Sequence, residues 1–544
     1  MSPIFFEKFQ IESEKNKSIF DYADFLNVRV PTSCGRTGEC HECIVELIEG
    51  FEGLSEKTES EKFLKENYRL ACQAIVKDPN KNIRFNVLRR QPKILDKGLK
   101  RDFEFDPITV KKGDSIIYNE SEKIDDFKGY IFGLSIDIGT TTIVMNLVNM
   151  QDGNILGTSS FENPQRFGGS DVMNRISYET GKFKGELQSV LISGINFEIG
   201  ELCKEFNIRR RWIYEIVIVG NSTMRDICFG FDVFSIGQKP YKSFTELETE
   251  KGKRDSTAIY TTAKELGIRI NPNANVYGAP LIGSHVGSDV TADLLTISMD
   301  NEEKNVILVD IGTNTEIVVG NKNKLMAASC PAGPAFEGGE VTYAMPGYDG
   351  AIEAFVFDND QSKIKIIGNS KPEGICGSGL IDILSELKSN GIMNELGVFE
   401  KNAQEYVISK DEGISLSRAD VSALAQAKAA NSCGQAIVIR KYPADLNSFS
   451  KIYLSGGFAN YIDVENAKKI GFIVDLPNTE VIKIGNGSLE GATIMLLSKK
   501  LRISMENLVK TIEHVELETT DDFFNFFVEG CQFKPIENEL MESE

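Results

Sequence analysis

Apolar and polar residues alternate through CIVELIEG (43–50), the period-two pattern of a half-buried strand. The same reading predicts an apolar strand near Pro3 to Phe9, a helix around Ser18 to Leu26, a charged helical piece from Ser55 to Glu66, and strands around Leu70 to Val76 and Ile83 to Leu88. Residues 1–90 are therefore expected as a small mixed α/β domain. The pattern then gives way to charged, weakly periodic text (RRQPKILDKGLKRDFEFDP), so 91–130 is expected as a linker with a hairpin or short strands of its own. From 131 onward, apolar runs of strand and helix length predict a large α/β part in two lobes, 131–300 and 301–544, the second ending in an acidic tail.

Two lobes are expected because the chain repeats itself. IDIGTTTIV (136–144) returns as VDIGTNTEI (309–317), with Asp137/Asp310, Gly139/Gly312, Thr140/Thr313 and Thr142/Thr315 identical. Each copy reads as an apolar strand ending in an acid, a glycine turn and a second strand. Glycine and small hydroxyl residues let backbone N–H groups approach phosphate oxygens, while the preceding aspartate can hold Mg²⁺ or orient a water. A third glycine site, KIYLSGGFAN (451–460), runs from a strand into Ser455, Gly456 and Gly457, where an adenine or ribose could lie against the backbone. VIVGNSTM (217–224) and GICGSGL (374–380) read as hinge segments between strand and helix. Any one of these turns alone is an ordinary strand turn.

Cys34, Cys40 and Cys43 stand as C-x5-C-x2-C, with Cys72 further on, which is the ligand spacing of a [2Fe-2S] cluster. Zinc is the alternative because Cys40 and Cys43 form a C-x-x-C knuckle, although structural zinc usually takes two such knuckles. A Rieske centre needs two histidines, and His285 and His514 lie far from His41, which is expected to face solvent. Backbone N–H groups of Gly35, Arg36, Thr37 and Gly38 can donate to cluster sulfurs. The other six of the ten cysteines read as buried or spare thiols. A net charge of −20 over 544 residues disfavours nucleic acid and anionic membranes as partners. No apolar run reaches the roughly 18 residues of a membrane span, and MSPIFFEKFQ lacks a secretion signal's basic start, so a cytoplasmic protein is expected.

Taken in order, the D-x-G-T-T, D-x-G-T-N-T-E and S-G-G-F turns resemble the phosphate-1, phosphate-2 and adenosine motifs of the acetate and sugar kinase, heat-shock chaperone and actin superfamily. With the N-terminal cysteine module, the whole chain resembles the reductive activators of corrinoid-dependent enzymes. The resemblance implies a β-grasp ferredoxin domain followed by a two-lobed actin-like (ribonuclease H-like) ATPase core. It implies ATP-dependent one-electron reduction of an inactive Co(II) corrinoid protein to Co(I), the form that accepts a methyl group. Cys34, Cys40, Cys43 and Cys72 would be cluster ligands, and Asp137 and Asp310 the catalytic acids with Mg²⁺. Gly139, Thr140, Thr141, Thr142, Gly312, Thr313, Asn314 and Thr315 would bind phosphate, and Ser455, Gly456 and Gly457 adenosine; Glu316 would aid Mg²⁺ or cap its turn. Implied partners are a corrinoid protein of a methyltransferase system, an upstream low-potential electron donor and a second copy in a homodimer. Two other readings remain: a nucleotide-regulated electron carrier for another low-potential enzyme, and a small-molecule kinase with a fused iron–sulfur domain.

Overall fold

The computed structural model describes residues 2–542 apart from 7–8, 66, 89–97, 284, 359–360, 369 and 458. In the N-terminal domain, Pro3–Phe6 pairs in parallel with Ile83–Val87 at the middle of a five-stranded sheet, and Phe9–Glu12, Ile44–Glu49 and Tyr68–Leu70 complete it in antiparallel pairing. Ile4, Val45, Leu47, Leu70 and Phe85 are buried with Ile19, Phe20 and Tyr22 of the helix Ile19–Phe25. That helix starts where Ser18 and Asp21 exchange side-chain and backbone hydrogen bonds, a capping box.

Two expected elements differ. The charged stretch from Ser55 forms only the short 3-10 turn Glu59–Glu61, because buried Glu61 is committed elsewhere: it accepts from Arg69 Nε at 2.7 Å and the Leu70 N–H at 3.0 Å. Its last residue, Glu66, lies outside the described residues. The strand expected from Leu70 to Val76 is instead Tyr68–Leu70, and the chain turns at 71–73, which carries Cys72 off the sheet.

The expected linker is partly a domain element. Residues 91–97 lie outside the described residues, but Thr109–Lys112, Ser115–Tyr118 and Glu122–Asp126 form a three-stranded sheet. Its Ile116, Tyr118 and Ile124 share a core with Tyr214, Tyr277 and Met495, and Thr109 Oγ1 donates to buried Glu215 at 2.5 Å.

The repeat extends to whole half-folds. In the first lobe the hairpin Phe132–Ile138 and Thr142–Asn149 carries Ile155–Glu162 on one side, with Ile213–Gly220 in parallel on the other. In the second, Asn305–Ile311 and Thr315–Asn321 carry Lys324–Cys330, with Phe449–Ser455 in parallel. The parallel strands read as continuous apolar runs because both of their faces are covered.

Two helices from opposite ends of the core cross between these sheets. Val290 and Leu294 of Ser288–Thr296 join the core of the second sheet, whereas Ile494 and Met495 of Gly487–Leu497 join Val148, Val217 and Val219 of the first. The boundary expected at residue 300 falls between the strands of the two sheets, and Gly487–Leu497 crosses back to pack on the first. The crossing is close enough that a Cβ on Gly491 would lie 2.1 Å from the Ala292 carbonyl. The expected acidic tail is also anchored, with Phe526, Phe533, Ile536 and Met541 buried in the second lobe's core. Among the described residues, no helix is long and apolar enough to cross a membrane.

Gly491→Ala should force the crossing helices apart at a cost of about 1–3 kcal/mol. A urea midpoint equal to that of the wild type would show that the helices do not meet this closely.

Candidate functional site

Cys34, Cys40 and Cys43 lie on the loop between helix Ile19–Phe25 and strand Ile44–Glu49, and Cys72 comes back to them from the turn after Tyr68–Leu70. The sulfurs fall into pairs: Cys43 Sγ is 3.4 Å from Cys72 Sγ, and the Cys34 thiol hydrogen-bonds that of Cys40. Two thiolates on one tetrahedral metal with bonds near 2.3 Å stand about 3.7 Å apart, so the Cys43–Cys72 pair fits one metal atom. The loop closes tightly because Gly35, Arg36, Gly38 and His41 take φ of 67°, 73°, 89° and 56°. Arg36 holds it to the helix, lying 4.0 Å over Phe20 and donating to Asp24 at 2.5 Å. Burial pushes the Cys34 thiol up, but hydrogen bonds from Thr37, Cys40 and the Gly38 backbone outweigh it and bring it to about 5. Cys43 is pushed well up by its bond to Cys72 and by burial, and the same bond brings Cys72 down to about 7.

His41 does not face solvent as expected. Its Nδ1 lies 2.9 Å from Glu186 of the first lobe, and its ring stacks on Phe63 at 4.2 Å. Phe63 in turn packs edge-on against Phe167 and accepts a hydrogen bond from Tyr178 Oη at 2.6 Å through its carbonyl. Lys65 donates to the Gly168 carbonyl at 2.9 Å, and Arg29 pairs with Glu201. The segment thus clasped, 163–169, holds the first glycine turn. Asn163 donates from its side chain to the Gly139 carbonyl and from its backbone to that of Thr141, both at 2.8 Å, while buried Arg175 donates to the Thr140 carbonyl at 2.6 Å.

The two glycine turns face one another across a cavity of about 270 Å³. Asp137, Gly139, Thr140, Thr141 and Thr142 line it from the first lobe; Asp310, Gly312, Thr313, Asn314, Ser455, Gly456 and Gly457 line it from the second. Gly139 is required by its own turn, since a Cβ would lie 2.5 Å from the Thr142 carbonyl. The floor is acidic. Burial and the charge of Asp289 push Asp137 up to about 7, and Asp310 is likewise raised by burial and by Asp289 and Asp137. Asp293, beneath them, accepts from Ser455 Oγ at 2.9 Å and is held well above the carboxylate range, first by burial and then by Asp310.

Sequence comparison matches residues 6–77 to the 2Fe-2S iron-sulfur cluster binding domain, 132–302 to the RACo middle region, and 304–544 to the C-terminal domain of RACo, the ASKHA domain. The chain belongs to the RACo family. Similar proteins include "Corrinoid activation enzyme RamQ" of Eubacterium limosum, 28% identical with 96% of this chain and 97% of that protein covered. The "[Co(II) methylated amine-specific corrinoid protein] reductase" of Methanosarcina barkeri is 21% identical, covering 73% and 76%. A solved structure, "Reductive activator for corrinoid,iron-sulfur protein", superposes over 99% of both chains with a TM-score of 0.71 at 26% identity. The fold is that of an N-terminal 2Fe-2S domain joined to an actin-like ASKHA core.

Within this RACo-family frame, two sequence expectations change. Thr315 does not line the cavity: it opens a strand, and period-two alternation turns its side chain into the core while Asn314 and Glu316 stay on the cleft side. Gly456 is needed less for a ligand than for the fold, since its φ is 111° and a Cβ would lie 2.1 Å from the Ile311 carbonyl. Gly457 does face open space, and Phe458 of the same motif lies outside the described residues. Asn221 lies in the segment VIVGNSTM, whereas Asp289, Glu337 and Asn486 belong to no motif named above; a buried-helix aspartate in GSDVTAD and an acid followed by two glycines in PAFEGG are the available signals.

Because the floor carboxylates bind protons more tightly folded than unfolded, nucleotide-free protein should lose stability as pH rises from about 5 to 8. Asp293→Asn removes one such proton, so it should flatten the slope by up to about 1.4 kcal/mol per pH unit. Thermal unfolding in magnesium-free buffer at pH 6, 7 and 8 measures this; parallel curves for the variant and wild type would mean that Asp293 is ionised.

Proposed function

We propose that this chain is an ATP-dependent reductive activator, handing one electron to a corrinoid protein in its Co(II) state and restoring the Co(I) form that accepts a methyl group. The observation that carries this reading is that His41 of the cysteine loop stacks on Phe63, and that Phe63 and Lys65 grip the segment 163–169 that holds a glycine turn of the cleft. The printed names of the relatives, all concerned with corrinoid activation or reduction, support the choice of acceptor.

Cys34 with Cys40 and Cys43 with Cys72 would hold the cluster, which supplies low-potential one-electron chemistry when bound. Gly139, Thr140, Thr141 and Thr142, with Gly312, Thr313 and Asn314, would cradle the phosphates, and Ser455, Gly456 and Gly457 would face the adenosine. No lysine or arginine stands among the described residues lining the cleft, so a triphosphate must bring its own cation. Asp137, Asp289 and Asp310 would hold that cation, Mg²⁺, through oxygen ligands or bound water.

The nucleotide answers an energy mismatch. Plant-type centres sit near −400 mV, and each further ~59 mV separating a lower acceptor from its donor costs about tenfold in the one-electron equilibrium. A closure that favours one state by about 10⁴, or roughly 5.5 kcal/mol, offsets about 240 mV. An upstream low-potential donor must reload the carrier after each transfer.

The test mixes reduced protein with its Co(II) corrinoid partner, with and without Mg-ATP. Co(I) absorbance should appear and should depend on ATP; its absence under both conditions removes the reading. Cys43→Ser should abolish Co(I) formation. Asp310→Ala should abolish nucleotide turnover while leaving the visible spectrum of the N-terminal domain intact.

A further inference from the structure

Glu337 ends the short turn Ala335–Glu337 on the second lobe's side of the cleft. The turn is held rigidly. Gly338 follows at φ 103°, and a Cβ there would lie 2.9 Å from Pro346 and 3.0 Å from the Met345 backbone, both residues of the cleft wall. A Cβ on Gly339 would lie 2.7 Å from Pro334. The Glu337 side chain, so presented, reaches both glycine turns: its Oε2 accepts from the Thr313 hydroxyl and lies 3.4 Å from that of Thr141.

The other cleft acids have different engagements. Asp137 accepts from Asn486 at 3.1 Å, Glu316 accepts from Ser329 at 2.9 Å, and Asp137, Asp289 and Asp310 bear on one another's charge at the floor. Glu337 bears on Glu316, while the largest charges on Asp137 and Asp310 are those of the floor aspartates. Burial raises its carboxyl above the usual range, against the pull of the two threonine hydroxyls, which makes it a stronger base than an exposed glutamate. A carboxylate standing between two phosphate-binding turns, apart from the cation site, is where hydrolysis needs a proton acceptor.

Resting on the reading of the cleft as a nucleotide site, we propose that Glu337 is the general base of ATP hydrolysis. Its carboxylate takes one proton from a water as that water's oxygen bonds the γ-phosphorus. The bond from that phosphorus to the bridging oxygen breaks, and ADP leaves with the electron pair. Thr141 and Thr313 hold the carboxylate in place until phosphate oxygens take over their hydroxyls.

Glu337→Gln in the full-length protein is the test, with Glu337→Asp beside it. Phosphate release by Glu337→Gln should fall about 10²–10⁴-fold, with intermediate loss in Glu337→Asp. The affinity for a non-hydrolysable ATP analogue should stay within about threefold, a change of under 1 kcal/mol, and the visible spectrum should be unchanged. Turnover in Glu337→Gln within a few-fold of wild type overturns the proposal. So does analogue binding at least tenfold tighter with turnover retained, since Glu337 would then be a plug that phosphate displaces. Wild type that binds the analogue but releases no phosphate overturns it while the cleft reading stands; wild type that binds no nucleotide overturns both.

Discussion

Carboxylates crowded at the ends of two facing hairpins are the constraint around which the core of this protein is arranged. Asp137, Asp289, Asp293 and Asp310 lie together at the cleft floor, and each is raised above its ordinary range chiefly by burial. Such a group of acids is tolerable when protonated or when a cation enters. Folding that keeps it uncharged and ligand binding that charges it are therefore opposed. A cleft of this kind is stable when empty and responsive when filled.

The responsiveness has a physical route to the N-terminal domain. Carbonyls of Gly139, Thr140 and Thr141 are held by Asn163 and Arg175, and segment 163–169 is gripped in turn by Phe63 and Lys65. Phe63 stacks on His41, which stands between Cys40 and Cys43. A shift of the first turn meets packed rings and hydrogen-bonded backbone rather than solvent, and packed contacts of this sort pass displacement on instead of absorbing it. On the opposite side of the cleft, Gly491 against Ala292 leaves no slack where the two crossing helices join the lobes.

Much of the fold was legible along the chain because its determinants are local. The alternation in 43–50, the C-x5-C-x2-C loop and the twin hairpins each depend on residues within about twenty positions of one another. The 59–61 turn departs from the helical pattern because Glu61 answers to Arg69 and Leu70, a contact that no periodicity announces. Thr315 is identical in sequence to Thr142, yet Thr142 lines the cleft and Thr315 is buried in the core.

The chemistry is written locally in the chain: four cysteines at ligand spacing, two acid-tipped glycine turns and a third glycine site. The company these groups keep is set by contacts between distant segments. Those contacts bring Asp289 and Glu337 to the cleft, set Gly487–Leu497 on the first lobe and turn His41 onto Glu186. The reason is that a turn's conformation is set by its own few residues. Which carboxylate, helix or ring arrives beside it depends on how distant apolar faces are buried, and pairings across hundreds of residues leave no periodic mark in the chain.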